Sequence, residues 1–161
     1  MKTFETRPFA LKQLSSVALP SLMMLATIAA IGYHPAVAAN PEEVNQLIET
    51  GICQACDLSG ADLTGAHLIG VDLRGADLTE TILTNANLEG ADLTGATLVK
   101  TDLSGAFLTN ALLDHTIIQD VDLSGSTLIY TSLEGAEINR VDLAGASVLN
   151  TPISIGGSFN Q

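Results

Sequence analysis

Two cysteines three residues apart, Cys53 and Cys56, are the only cysteines of the 161-residue chain. Their Cys-Gln-Ala-Cys motif allows a structural disulfide, a pair of reduced thiols, a redox-active pair or part of a metal site. The N-terminal segment described below predicts export to an oxidising compartment, which favours the disulfide. Redox-active thiols usually lie at the N-terminus of a helix, whereas these follow the C-terminal end of a predicted helix. We therefore prefer the structural disulfide, and the other three interpretations stay open.

The rest of the chain contains no set of residues that predicts catalysis. His67 and His115 fall too far apart to complete a zinc site with the cysteines, and neither a phosphate-binding loop nor a cofactor fingerprint occurs. Aspartates at twenty-residue spacing, such as Asp102 and Asp122, permit a calcium hypothesis. An aspartate beside a turn more commonly accepts backbone N–H groups. We expect a non-catalytic protein with no metal and no cofactor.

These polar residues are embedded in a repeat of five residues. A branched aliphatic residue occupies every fifth position from Leu58 to Ile153, and a small residue stands two positions before each. Helices repeat their apolar positions at about 3.6 residues and strands at about 2. A period of five divides into a strand-like step of two and a step of three in which the backbone turns a corner. The pattern predicts an all-β solenoid with its aliphatic side chains inside.

Charged residues indicate how many corners make one coil. Outward charges at twenty-residue spacing alternate in sign, and stacked coils lie about 4.8 Å apart. A coil of four corners would bring these charges together, whereas three corners would separate them. We predict about five coils of 20 residues and a structural ion-pair column of Glu80, Lys100, Asp120 and Arg140.

The repeats resemble the pentapeptide-repeat family, whose motif is A(D/N)LXX. Residues 61–65 read Ala-Asp-Leu-Thr-Gly, and residues 91–95 read the same. The resemblance implies a right-handed quadrilateral β-helix but no single activity. Some quinolone-resistance members resemble DNA in shape and charge and bind DNA gyrase. The Cys-x-x-Cys before the first coil is similar to that of exported cyanobacterial members, for which the thylakoid lumen is a destination besides the periplasm.

The chain divides into four segments along its length. Residues 1–38 resemble a secretory signal peptide, with cleavage after Ala38 or one residue later. An uncleaved anchor is the alternative, although the apolar run is short for a membrane span. Residues 39–53 form a capping helix and loop, residues 54–155 the repeat, and residues 156–161 a C-terminal tail. The basic segment before the apolar run carries Lys2, Arg7 and Lys12.

The charge of the chain limits its partners. Of 18 acidic and six basic residues, only Glu5 and three bases lie in residues 1–38, so the remainder has 17 acids, three bases and a net charge of −14. Such a surface repels nucleic acid and anionic membranes. We expect neither nucleic acid nor membrane as a partner of the mature protein.

The segment from Asn40 to Gly51 predicts a short amphipathic helix. Asn40 suits the N-cap, the next residue is proline, and Gly51 suits the C-terminal end. Val44, Leu47 and Ile48 fall on one face. Because the end of a solenoid exposes its interior and unpaired backbone groups, we expect this helix to cover the N-terminal end. A partner-binding helix is the alternative.

Apolar residues replace the usual outward polar residue at a few repeats, and such a patch can be a contact surface. We predict a candidate partner surface of Ile82, Phe107, Leu112 and Ile117; the alternative is scattered surface apolar residues. At the C-terminal end, either Phe159 covers the interior or a second copy stacks there as a homodimer.

These observations favour an exported, non-catalytic scaffold or protein-interaction module with an unidentified protein partner, in the periplasm or the thylakoid lumen. Two alternatives remain. One is an acidic DNA mimic that inhibits or protects a topoisomerase, which an export signal argues against. The other is thiol redox function through Cys53 and Cys56.

Overall fold

A computed structural model describes residues 39–152 of the chain. The predicted signal peptide at residues 1–38 lies outside the described residues. So do Ile153, the last repeat position, and the tail at residues 156–161 with Phe159. Within the described part, no helix has the length and apolar character needed to cross a membrane.

The predicted N-terminal helix is present as α1, Pro41–Thr50. The Asn40 side chain accepts a hydrogen bond from the backbone N–H of Glu42 at 3.1 Å, and Gly51 adopts φ 70°. The left-handed conformation of Gly51 lets its N–H donate to the Leu47 carbonyl at 2.9 Å and end the helix. The prediction for Ile48 was wrong. Its side chain is 56% exposed and does not share the buried face with Leu47.

Backbone pairing shows a coil of 20 residues. The paired residues are twenty apart and parallel throughout, from Ile52 with Asp72 to Leu112 with Ser132 and on through the last coil. A residue with positive φ recurs at every fifth position from Ala55 to Asn150, so each coil has four corners. The predicted spacing is confirmed, and the fifteen-residue alternative is excluded.

Regular strands are fewer than a closed β-helix would suggest. The strands of the described residues are β1 (Thr97–Val99), β2 (Ile117–Asp122), β3 (Thr127–Ile129), β4 (Glu137–Asp142) and β5 (Ser147–Leu149). They form two parallel sheets, of order β1-β2-β4 and β3-β5, while the early coils pair through isolated bridges. A corner at every fifth residue leaves too little extended chain for long ladders.

The interior is a column of aliphatic side chains. Leu73, Leu88 and Leu103 are fully buried, and Leu47 of α1 belongs to the same cluster with 1% exposure. Some small inward positions hold threonine instead of alanine. The buried Thr81 hydroxyl donates to the Leu58 carbonyl at 2.8 Å, so a polar group enters the core without losing its hydrogen bond.

Candidate functional site

Cys53 and Cys56 form a disulfide, with their Cα atoms 5.3 Å apart. Cys53 is fully buried and Cys56 is 7% exposed. Cys56 occupies the small inward position of the first repeat, and the Cys53 N–H donates to the Asp72 carbonyl of the next coil at 2.8 Å. The disulfide therefore lies where the segment after α1 enters the first coil, and its burial protects it from attack by an external thiol.

A second contact joins the helix to the first coil. The Glu43 carboxylate accepts a hydrogen bond from the Asp57 backbone N–H. It also accepts from the Asn40 amide at 3.1 Å. Glu43 thus links the N-cap of α1 to the first repeat, in addition to the disulfide.

The four residues of the predicted ion-pair column form two separate pairs. The Lys100 ammonium lies 2.9 Å from the Glu80 carboxylate, and the Arg140 guanidinium contacts the Asp120 carboxylate with one N–O distance of 2.6 Å. No ion pair within 4.0 Å joins Lys100 to Asp120 in the described residues. All four backbones have φ between 51° and 58°. The column therefore stands at a corner that glycine occupies in other repeats, with one ion pair between coils two and three and another between coils four and five.

The ion pairs shift the pKa values of their members. Hydrogen bonding from Arg140 lowers the pKa of Asp120 from 3.8 to about 2. Hydrogen bonding to Glu80 raises the pKa of Lys100 above its ordinary value. Both pairs are exposed to solvent, where such contacts contribute little to stability. Their position indicates that they help to hold the register of neighbouring coils.

Arg74 makes a further ion pair that the sequence analysis did not single out. Its guanidinium lies 2.7 Å from Asp72 on its own repeat and 3.7 Å from Asp92 on the next coil. Hydrogen bonds from Arg74 and then Gln54 lower the pKa of Asp72. Asp72 and Asp92 are twenty residues apart, and Arg74 follows Asp72 by two residues. Comparison of residues at twenty-residue spacing would therefore have predicted that Arg74 lies near both carboxylates.

The aspartates of the repeats mostly bond to their own turns. Asp102, Asp122 and Asp142 are in register on neighbouring coils. Each accepts a backbone N–H two residues on, at 2.8–2.9 Å. Burial acts to raise the pKa of Asp102, but hydrogen bonds from Ser104 and Thr84 lower it. Across residues 39–152, no three His, Cys, Asp or Glu side chains are grouped as a metal site would require.

The predicted apolar surface does not form one patch. Ile82, Phe107, Leu112 and Ile117 are 40–50% exposed. However, each occupies a different one of the four outward faces, because their positions within the 20-residue coil differ by at least one turn. A flat partner surface that covers Phe107 cannot also cover Ile117, which lies two turns away. The structure leaves these four residues separate.

The structure instead reveals one face that is poor in charge. We call it the charge-poor face, and it contains one charged residue, Glu89. Each of the other three faces carries three or four carboxylates: Asp57, Asp77 and Glu137; Asp62, Asp102, Asp122 and Asp142; Asp72, Asp92, Asp114 and Glu134. The outward residues of the charge-poor face are His67, Ile69, Asn87, Glu89, Phe107, Thr109, Thr127, Ile129, Ser147 and Leu149.

The charge-poor face escaped the sequence analysis because that analysis compared successive repeats along the chain. Successive repeats lie on successive faces, so a surface feature of one face is visible only at every fourth repeat. Reading the chain in steps of twenty from His67 and from Ile69 would have revealed the face.

Comparisons with known proteins agree with this architecture. Pentapeptide repeats, in eight copies, match residues 56–95, 72–110, 91–128 and 116–148. No curated protein matches the chain. Among solved structures, a pentapeptide repeat protein from the Arabidopsis thaliana thylakoid lumen is 31% identical, with a TM-score of 0.57 over 60% of this chain and 68% of that one.

Two further solved structures are less similar. A pentapeptide repeat protein from the cyanobacterium Cyanothece is 24% identical, with a TM-score of 0.35 over 69% of this chain and 97% of that one. QnrB1, a plasmid-mediated fluoroquinolone resistance protein, is 24% identical, with a TM-score of 0.29 over 60% of this chain and 59% of that one.

The family match covers the repeat from residue 56 to residue 148, which is more than half of the chain. It coincides with the segment in which the five-residue pattern and the 20-residue coils occur. The chain belongs to the pentapeptide-repeat family.

Proposed function

We propose that the protein is a non-catalytic, exported scaffold that binds another protein through its outward side chains. The observation that carries this proposal is the uniform 20-residue register, which arranges the outward residues in columns on a continuous hydrogen-bonded tube. The inside of the tube offers no chemistry to a substrate. Its cavity in the later coils is lined by aliphatic side chains alone: Leu108, Leu113, Ile118, Leu123, Leu128, Leu133, Ile138, Val141 and Leu143.

The buried disulfide supports an oxidising compartment outside the cytosol. The similar Arabidopsis protein comes from the thylakoid lumen. We place this protein in the thylakoid lumen or the periplasm, after removal of the predicted signal peptide at residues 1–38. Fractionation of cells that express the full chain with a C-terminal tag tests the location. Recovery of the uncleaved chain in the cytosol contradicts it.

The family implies further that the coils wind as a right-handed quadrilateral β-helix.

The C-terminal end is our candidate for a homodimer contact, because inward side chains there are less buried. Val148 is 42% exposed, whereas Leu68, in the same row at the other end, is 1% exposed. Sedimentation of the full chain with and without Val148→Asp tests the contact; a monomer in both cases contradicts it.

Binding of a protein partner is tested by capture from the compartment in which the tagged chain is found. We expect a partner that untagged protein displaces and that binds again when both components are purified. A matched control is the same chain held unfolded on the resin, since binding by a folded array requires the coils. Captured proteins that are not displaced, or that bind the unfolded chain equally, contradict the scaffold function.

The topoisomerase hypothesis is a separate candidate supported by the aspartates of neighbouring coils, such as Asp122 and Asp142, which are in register. A gyrase supercoiling assay with the full chain tests it, and unchanged supercoiling at micromolar protein contradicts it.

The redox hypothesis is less favoured, because Cys53 is fully buried. Alkylation after mild reduction tests it: a pair that stays unreacted in the folded protein is structural.

A further inference from the structure

Helix α1 lies against the disulfide. The Cys53 sulfur is 3.4 Å from the Glu43 carbonyl oxygen of the helix. Leu47 of α1 is 1% exposed and belongs to the same core cluster as both cysteines. The Glu43 carboxylate also accepts the backbone N–H of Asp57, the residue that follows Cys56. The helix therefore contacts the chain at Cys53 and directly after Cys56.

The backbone of residues 72–77 also pairs with the cysteine segment. The Cys53 N–H donates to the Asp72 carbonyl at 2.8 Å, and the Cys56 carbonyl accepts from the Asp77 N–H at 2.9 Å. Thiol–disulfide exchange requires direct access of one sulfur atom to another. Cys53 is fully buried and Cys56 is 7% exposed. Either α1 or this backbone must therefore move before an external sulfur can reach the pair.

Of these two covers, α1 can move at the smaller cost. Residues 72–77 are held in turn by the following coil, as in the bond from the Leu73 N–H to the Asp92 carbonyl at 2.7 Å. Helix α1 is a ten-residue element with one buried residue, Leu47. Local opening requires the least free energy where few buried contacts are broken. Access to the cysteines therefore depends on the position of α1.

The order of residues along the chain gives the cysteines a time at which they are accessible. Asp72 and Asp77 follow the cysteines in the sequence. A chain exported unfolded with its N-terminal end leading brings Cys53 and Cys56 into the new compartment before the backbone that pairs with them. Leu47 packs in a cluster built mainly of repeat residues, so α1 docks only after the first coil has formed.

We propose that α1 is a lid that closes over Cys53 and Cys56 after an external disulfide has oxidised them, and that then excludes external thiols from the pair. The inference rests on the proposed export to an oxidising compartment and adds the order of events there. One cysteine thiolate attacks the external disulfide and releases the first thiolate; the second cysteine thiolate attacks the mixed disulfide and releases the other. Two electrons and two protons pass from the cysteines to the oxidant, which becomes two thiols.

The lid is tested on the folded protein with its disulfide intact. Dithiothreitol is added in native buffer, new thiols are trapped by alkylation at timed intervals, and mass spectrometry counts them. Leu47→Ala removes the buried contact of α1, and we expect reduction to become about tenfold faster, because the lid then opens at lower cost. Ile48→Ala is the matched control, since this side chain is 56% exposed, and we expect less than about a twofold change. Equal rates for wild type and both variants overturn the lid.

A second pair of variants tests the lid without changing the core. Glu43→Ala removes the carboxylate that accepts the Asp57 N–H. Glu42→Ala makes the same change of charge at an exposed neighbour. We expect faster reduction for Glu43→Ala alone, and far-UV circular dichroism checks the fold of every variant. This pair decides the question if Leu47→Ala does not fold. Equal acceleration by both alanine variants indicates an effect of charge only and overturns the lid.

Oxidation of the reduced chain tests the order of events. The reduced protein is incubated with oxidised glutathione either unfolded in urea or folded in native buffer, and a peptide of residues 50–59, measured in both solvents, corrects for the effect of urea. We expect oxidation to be at least about tenfold slower in the folded chain. Equal corrected rates overturn the order. Recovery of the expressed chain in the cytosol contradicts export but leaves these rates unchanged, so the two failures are distinguishable.

Discussion

The two ends of the tube are built from the same repeat but are protected differently. At the N-terminal end the inward leucines are almost completely buried, with Leu63 at 4% exposure, and they share one core cluster with Leu47 of α1 and both cysteines. In the last coil Leu143 is only partly buried and Val148 is 42% exposed. Among the described elements, α1 adjoins the first coil and none follows the last one. We therefore expect equivalent repeat positions at the two ends to contribute unequally to stability.

Matched leucines at the two ends test this difference most strongly. Leu63 and Leu143 lie in the same row, four coils apart. We expect Leu63→Ala to lower the free energy of unfolding by about 2–5 kcal/mol, the range for a buried leucine, and Leu143→Ala to lower it by less than half as much. Denaturant titration measures both. Because repeat proteins can unfold in parts, amide exchange should accompany it. Equal losses would contradict the proposed difference between the ends.

Removing the disulfide should make the N-terminal end resemble the C-terminal one. In the double variant Cys53→Ala with Cys56→Ala, we expect a loss of about 2 kcal/mol, since the closed loop is short. The physical effect is release of the segment between α1 and the first coil. Amide exchange should accelerate at Leu47 and Asp57 and stay unchanged in β5. The wild-type protein with its disulfide intact serves as the control. Faster exchange in β5 without a change at α1 would show that the disulfide does not secure the cap.

We expect the corner ion pairs to make the smallest contributions to the free energy of unfolding. The pair towards the N-terminal end, Glu80–Lys100, and the pair towards the C-terminal end, Asp120–Arg140, should differ in how that contribution depends on pH. Asp120 has its pKa lowered to about 2 by Arg140, so the pair stabilises the folded state above about pH 4 and loses this effect as the pH falls towards 2. The pKa of Lys100 is raised by Glu80, so that contribution is lost as the pH rises above 10.5.

Thermal unfolding of Arg140→Gln and Lys100→Gln measures these effects as differences from wild type. The difference for Arg140→Gln should disappear at low pH, and the difference for Lys100→Gln at high pH. Taking differences cancels the general relief of acidic repulsion on protonation. Persistence of the Arg140→Gln difference at low pH, or of the Lys100→Gln difference at high pH, would contradict the assignment.

Much of the fold was predictable because it depends on local patterns. The step of two from a small residue to an aliphatic one, followed by a corner, identifies the inward positions wherever they occur. Asn40 and Gly51 likewise end a helix through contacts within a few residues. Ile48 was predicted wrongly because helical periodicity shows which residues share a side but not how far the neighbouring coil extends over them.

The candidate site was less predictable because its residues are neighbours only across coils. The aliphatic residues from Leu58 onwards determined by themselves that the chain coils and which side chains lie inside. The reason is that their spacing of five residues is a local pattern, which can be read without knowing which distant residues are in contact. Only the tertiary structure decided that Lys100 pairs with Glu80 and not with Asp120, and that the four residues of the predicted apolar surface fall on four faces. It alone brought Phe107, Ile129 and Leu149 onto one uncharged surface. The physical reason is that outward side chains meet partners twenty residues away, through the stacking of coils and the side-chain conformations adopted there.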